Sequence, residues 1–178
     1  MKWIVLLTFL HGVSYASSLP LLRGQNIIDE SQISHDWTSP KLGTVIVFLS
    51  ALCPCSNGHV DHLKELAKNN PEFDFIGIHS NANETKEEGK TYFQSKELSF
   101  KIIRDLESEW ANRLKAYATP HAFVVDKSGE LLYQGGVTSS ASADRAEEFY
   151  LKDALLALKS GQKIKLAKTR VLGCKIAR

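Results

Sequence analysis

Thr44-Val45-Ile46-Val47-Phe48-Leu49 runs directly into Ser50-Ala51-Leu52-Cys53-Pro54-Cys55-Ser56-Asn57-Gly58-His59, and the change of character between the two decides the fold. The first six residues are β-branched, aromatic or aliphatic without alternation, the pattern of a strand covered on both faces. Ser50 to Ser56 then turns the chain. From Asn57 the apolar positions Val60, Leu63, Leu66 and Ala67 recur at helical spacing until Asn69-Asn70-Pro71 ends them. Phe73 to Ile78 is a second strand, and the handedness of crossovers makes it parallel to the first.

Further along, Glu84 to Lys96 is polar with Tyr92 and Phe93 on one side, a surface helix. Phe100 to Ile103 is short and strand-like, and Ser108 to Tyr117 carries Trp110, Leu114 and Tyr117 at helical spacing. Phe123-Val124-Val125, the turn Asp126-Lys127-Ser128-Gly129, and Leu131-Leu132-Tyr133 form a β-hairpin. Ala143 to Leu158 is a long amphipathic helix closed by Ser160-Gly161. Strands alternating with helices, then a hairpin and a helix, give an α/β class with a central mixed sheet between helical layers.

Composition narrows the function. The chain has 178 residues, 43% hydrophobic and 24% charged, with 22 Lys+Arg against 20 Asp+Glu, as in an ordinary globular domain. A net charge of +2, with no concentrated basic face, excludes nucleic acid as an expected partner. At this length roughly two thirds of the chain's surface can be buried, so the core needs no disulfide scaffold. Three cysteines are too few for a scaffold in any case, and their purpose is chemical. No four-ligand zinc spacing and no Gly-rich phosphate loop is present, so no cofactor and no resident metal is expected.

Met1-Lys2-Trp3, the apolar run Ile4 to Leu10, and the small-x-small pattern Ser14-Tyr15-Ala16 read as a secretory signal over residues 1–16. The run is well short of the roughly 20 apolar residues a membrane-spanning helix needs, so no stable membrane insertion is expected after its removal. Residues 17–40 then form an N-terminal extension, residues 41–162 the domain, and residues 163–178 a tail that contains Cys174. Export, to a periplasm or outside the cell, means an oxidising compartment where paired thiols persist as disulfides. An odd cysteine count requires at least one thiol that is free, transiently paired or shared with another chain.

The chemistry concentrates at Cys53. It lies between the carboxyl end of a buried strand and the start of a helix, where open α/β sheets form their sites. Unpaired N–H groups and the partial positive charge of a helix start favour a thiolate, and such positions lower a cysteine pKa to roughly 3.5–7.5. Pro54 suits the first helical turn because it lacks the N–H that would have no acceptor there. The bland reading is that Cys53 and Cys55 are packing residues, but thiols flanking a proline at such a turn are oddly exposed for that. A second informative stretch, Ala118-Thr119-Pro120-His121, places a proline at the start of the hairpin strand, where an edge or a cis bond accommodates it.

Together these stretches resemble the thioredoxin-like superfamily, in particular its redoxin branch of thiol-disulfide oxidoreductases and peroxiredoxin-like (alkyl hydroperoxide reductase and thiol-specific antioxidant-like) proteins. The resemblance runs from about Thr44 to Arg178 through the strand Val45 to Leu49, the Cys-Pro-Cys-Ser turn, Thr119-Pro120, the Gly129 hairpin and Gly173-Cys174-Lys175-Ile176. It implies a three-layer sandwich, a cis Pro120 facing the reactive cysteine, and Thr119 backbone groups that hold an extended thiol substrate. The partners it implies are a protein or small-molecule disulfide or thiol substrate and a recycling redox partner.

The departures shape the expected chemistry. The family dithiol is Cys-x-x-Cys, but the second position here is Ser56 and the nearer thiol is Cys55. Thioredoxins proper carry a buried acid six residues before the first cysteine, where this chain has Val47; His59 is then a candidate acid/base, or a residue of a solvated helix face like His62. Peroxiredoxins carry Pro and Thr where this chain has Ile46 and Ser50, which disfavours peroxide reduction. The expected activity is therefore thiol-disulfide exchange, with Cys53 as nucleophile and either Cys55 or Cys174 as resolver. A Cys53–Cys55 ring is strained, and Cys174 needs the tail to fold back over the helix start. Two other classes remain: a copper-handling chaperone that recruits His121 or His79 beside the cysteines, because soft thiolates select copper(I), and a binding module that has lost turnover.

Overall fold

The computed structural model describes residues 18–178, so the expected leader at residues 1–16 lies outside them. The strands are β1 (Leu22–Asn26), β2 (Gln32–His35), β3 (Gly43–Phe48), β4 (Phe73–His79), β5 (Lys101–Arg104), β6 (Ala118–Thr119), β7 (His121–Val125), β8 (Leu131–Gly135) and β9 (Cys174–Lys175). The helices are α1 (Pro54–Asn57), α2 (Val60–Asn69), α3 (Lys86–Lys96), α4 (Glu109–Arg113) and α5 (Tyr150–Lys159). Seven strands form one mixed sheet in the order β2-β1-β5-β4-β3-β7-β8. β3, β4 and β5 are parallel, and β7 and β1 flank them antiparallel.

β3 lies inside the sheet, between β4 and β7, because its side chains cannot tolerate water on either face. All six residues are buried. Val45, Val47 and Leu49 face one apolar layer with Leu63 and Leu66 of α2, Phe93 of α3 and Leu151 and Leu155 of α5. Ile46 and Phe48 face the other, with Trp110 and Ala111 of α4 and with Trp37. Each such aliphatic or aromatic side chain contributes about 1.5–3 kcal/mol by burial. The three-layer α/β sandwich expected from the sequence is the observed architecture.

Local chemistry sets the helix limits. α3 begins with a reciprocal capping box in which Thr85 Oγ1 accepts the Glu88 N–H and Glu88 accepts the Thr85 N–H at 2.8 Å. α2 ends where Asn70 Nδ2 donates to the Leu66 carbonyl at 2.8 Å, just before Pro71. α4 is much shorter than the expected span Ser108 to Tyr117. It starts where the Asp105 carboxylate accepts the N–H groups of Trp110 and Ala111, and it is closed by Lys115 in a left-handed conformation (φ 55°).

Two segments depart from the sequence reading more strongly. Residues 17–40, expected as an extension, contribute β1 and β2 to one edge of the sheet, and the Trp37 indole N–H donates to the carbonyls of Leu19 and Pro20. The last helix starts at Tyr150 rather than Ala143. Ala143–Arg145 form only a 3-10 turn; beyond it the N–H groups of Glu147 and Glu148 donate to Ser139 Oγ, and the Ser139 N–H donates to the Glu148 carbonyl at 2.9 Å, which ties these residues to the loop after β8 and keeps them out of the helix. Among the described residues no helix is long and apolar enough to cross a membrane.

Candidate functional site

Gly58 and His59 interrupt the expected helix, leaving α1 as a single turn capped by Cys53. Cys53 has an extended backbone, Pro54 occupies the first helical position, and Cys53 Sγ accepts the Ser56 N–H at 3.4 Å. Support for a thiolate therefore comes chiefly from this one N–H, because a single turn has little macrodipole to add. Ser56, at the position of the missing second family thiol, is buried, and its Oγ accepts the Ser50 N–H at 3.1 Å. The hydroxyl closes the reactive loop on itself.

Opposite Cys53 lies the Thr119–Pro120 peptide, which is cis. The Thr119 carbonyl oxygen is 3.1 Å from Cys53 Sγ, positioned to accept the proton of a reduced thiol. β9 pairs antiparallel with β6, setting Cys174 across from Thr119, and Cys174 is joined to Cys53 by a disulfide with a Cα–Cα distance of 5.9 Å. Cys55 is a free, half-buried thiol, and the three sulfur atoms lie within 4.8 Å of one another. Of the two expected resolving thiols, Cys174 is the one bonded to Cys53.

The tail is held by more than this bond. The Ile176 N–H donates to the Tyr117 carbonyl and the Ala82 N–H to the Ala177 carbonyl, each at 3.0 Å, and Ile176 is buried. Arg178 reaches the carbonyls of Ala111 and Ala116. Gly173 is needed for this docking, since a Cβ there would stand 2.2 Å from the Thr119 carbonyl oxygen. Gly173→Ala is expected to lift Cys174 off Thr119 and slow closure of the Cys53–Cys174 disulfide, measurable as free-thiol content during timed reoxidation. Closure at the wild-type rate would refute that account of the tail.

A buried carboxylate braces the reactive loop, and sequence reading missed it. Glu84, in the loop after β4, accepts the Ala51 N–H at 2.7 Å, His79 Nε2–H at 2.9 Å and Asn81 Nδ2–H at 2.7 Å, and also the Ser50 hydroxyl. Burial opposes its charge, but the hydrogen bonds from His79, Ser50, Ala51 and Asn81 prevail and hold the carboxyl down to about 2. The Ser50 hydroxyl thus points at Glu84. The only available signal was position: an acid just past the carboxyl end of the strand parallel to β3, in a stretch that reads as the start of a surface helix.

His59 is not on a solvated face. It is 1% exposed, with Nδ1 2.8 Å from the Cys55 carbonyl oxygen and Nε2 2.9 Å from Thr138 Oγ1. Burial lowers its proton affinity, and both ring nitrogens are occupied, so the ring ties the Cys55 backbone to the loop after β8. Neither nitrogen is left to exchange a proton with Cys53. His62, read as a solvated residue, packs its ring on Phe149. The histidines weighed as copper ligands lie outside the sulfur cluster. His79 is committed to Glu84, and His121 is buried between Tyr117 and Phe123, where burial holds it down to about 4. Among the described residues the one group of three or more metal-ligating side chains that converges is Cys53, Cys55 and Cys174.

Solved structures share this architecture. An uncharacterized conserved protein from Geobacillus kaustophilus superposes with a TM-score of 0.81 at 23% identity, covering 91% of this chain and 90% of its own. A hypothetical protein from Sinorhizobium meliloti 1021 gives 0.77 at 18% identity, covering 90% and 95%. A secreted Mycobacterium tuberculosis disulfide oxidoreductase homologous to Escherichia coli DsbE gives 0.54 at 17% identity, covering 62% and 80%. The fold is therefore thioredoxin-like, as the sequence motifs imply. No curated protein sequence matches the chain. The model of one family spans residues 25–176, from β1 through β9, and the chain accordingly belongs to DUF6436, a domain of unknown function.

Proposed function

We propose that the protein is an exported thiol-disulfide oxidoreductase whose redox pair is Cys53 and Cys174. The observation that carries this reading is the disulfide itself, which joins the cap of the first crossover helix to a tail strand docked beside Thr119 and cis Pro120. In the reducing direction the Cys53 thiolate attacks one sulfur of a substrate disulfide, forming a mixed disulfide and releasing the other substrate sulfur as a thiolate. The Cys174 thiolate then attacks Cys53 Sγ, restoring the Cys53–Cys174 bond and releasing the second substrate thiolate. Two electrons pass to substrate, and the reverse sequence oxidises a dithiol. Ser56 N–H stabilises the Cys53 thiolate whenever it forms. Leu52, next to Cys53, and Tyr117 are exposed apolar side chains beside the pair, which favours a polypeptide over a small peroxide as substrate. Export is supported by the apolar leader and by the secreted mycobacterial protein of the same fold.

The test is disulfide mapping by mass spectrometry through repeated turnover, with the reduction potential measured by equilibration against glutathione. Cys53–Cys174 is expected to open and close with each cycle. Each 30 mV corresponds to about 1.4 kcal/mol for a two-electron couple, so even a coarse potential separates a reductant from an oxidant. A Cys174 thiol that stays free during turnover would overturn the assignment.

A further inference from the structure

The Cys53–Cys174 disulfide leaves Cys55 as a free thiol, although its sulfur lies within 4.8 Å of both others. We infer that the reduced chain is a three-thiolate site for a soft monovalent metal ion, copper(I), and that formation of the Cys53–Cys174 disulfide closes it. Metal–sulfur bonds of about 2.3 Å set the sulfurs sharing one ion roughly 3.8–4.0 Å apart, inside the 4.8 Å that bounds all three pairs, so that Cys53 and Cys174 need only part from their disulfide contact. Thiolate sulfur is the donor type that selects copper(I). Closed zinc sites take four ligands, and among the described residues no fourth histidine, cysteine or carboxylate joins the three sulfurs.

Convergence of the sulfurs does not depend on the disulfide. Cys53 is set by its cap on α1, and Cys55 sits two residues on, with its backbone carbonyl held by His59. Cys174 is fixed on both sides, by Gly173 packed against the Thr119 carbonyl and by the backbone bonds of Ile176 and Ala177. Reduction therefore frees two sulfurs without releasing the segments that carry them, and the ligands stay preorganised. The balance is simple. A dithiol gives up two electrons and two protons, becoming a disulfide itself, and so opens the bond to two thiols; a phosphine gives the electrons and becomes its oxide, with water supplying the oxygen and the two protons. Copper(I) then replaces the three thiol protons, with no change in its own oxidation state.

The inference does not rest on exchange activity, and its test is separate. Anaerobic titration of reduced full-length protein with copper(I), against a chromophoric copper(I) chelator, is expected to show one ion per chain with sulfur-only coordination by X-ray absorption. The oxidised chain is expected to take none. Loss of a mere hydrogen-bond partner of a metal ligand costs 10–100-fold in affinity, so Cys55→Ser and Cys174→Ser are each expected to weaken binding by more than about 100-fold. Cys55→Ser is the sharper variant, because the Cys55 thiol is free in the oxidised chain and its backbone bond to His59 survives the change. Wild-type affinity in Cys55→Ser, or equal binding by the oxidised chain, would overturn the three-thiolate site. A reduced chain that exchanges disulfides yet binds no copper defeats this inference alone, whereas one that binds copper and exchanges nothing defeats only the proposed activity.

Discussion

Replacing Cys53 with serine is expected to abolish disulfide exchange, a loss on the order of 10³-fold or more, because no other group can take the attacking role at that position. Cys55 offers a thiol two residues away, but it lacks the N–H that Cys53 Sγ receives from Ser56 and does not adjoin the Thr119 carbonyl oxygen. Cys174→Ser is expected to fail differently. Cys53 still attacks, but with no thiol at position 174 the reaction stops at the mixed disulfide. Incubation with a model protein disulfide should then build up a covalent adduct of one substrate per chain, visible as a mass increase that dithiothreitol reverses. Turnover of Cys174→Ser at the wild-type rate would transfer the resolving role to Cys55, and undiminished activity in Cys53→Ser would remove the proposed centre altogether.

The second large effect is expected at Glu84. Its carboxylate receives four donors, two of them from Ser50 and Ala51 immediately before the reactive turn. Glu84→Gln keeps the shape but supplies one acceptor oxygen and an amide that points hydrogens at other donors. Buried donors left unpaired cost about 1–3 kcal/mol each. A loss of about 3 kcal/mol corresponds to a drop of roughly 6–12 °C in melting temperature for a chain of this size. The same network sets an acid limb. The folded carboxyl is held at about 2 against an ordinary value of 4.5, so it binds fewer protons than the unfolded chain does between those values. Its stabilisation is complete above about pH 4.5 and is lost as pH falls toward 2, amounting to about 3 kcal/mol. Denaturant unfolding of wild type and Glu84→Gln from pH 7 to pH 2 should therefore converge in acid. A constant gap across that range would mean that Glu84 acts through packing rather than through its charge.

A loosened loop also bears on the chemistry. Ser50 is tied both to Glu84 and, through its N–H, to Ser56 Oγ, and Ser56 in turn donates its N–H to Cys53 Sγ. The carboxylate and the reactive sulfur are thus joined through two residues. Exchange by Glu84→Gln is expected to slow even at temperatures where the variant remains folded.

The local stretches around Thr44 to Ser56 and Ala118 to Val125 settled most of what could be read without a structure. An unbroken apolar run has to be a central strand, since no other place buries both faces. A proline after a cysteine at its carboxyl end marks a helix start, apolar spacing marks α2, a polar run with Tyr92 and Phe93 on one side marks α3, and two apolar runs around a turn mark the β7–β8 hairpin. Near-range patterns carry these features because neighbours in sequence decide them. Leu22–Asn26 and Gln32–His35, the two outermost strands on one side of the sheet, escaped because they are short and half polar and give little periodic signal, and the start of α5 because Ser139 captures the N–H groups of Glu147 and Glu148 from outside the segment. The disulfide partner of Cys53 could be narrowed in sequence only to Cys55 or Cys174. Choosing between them took the β6–β9 pairing that brings residue 174 within reach of residue 53, a separation of 121 residues. The burial of His59 and the Glu84 brace likewise depended on groups far along the chain. A hydrogen bond or a disulfide between distant residues leaves no periodic trace in the sequence, because its partners meet only after the sheet has formed.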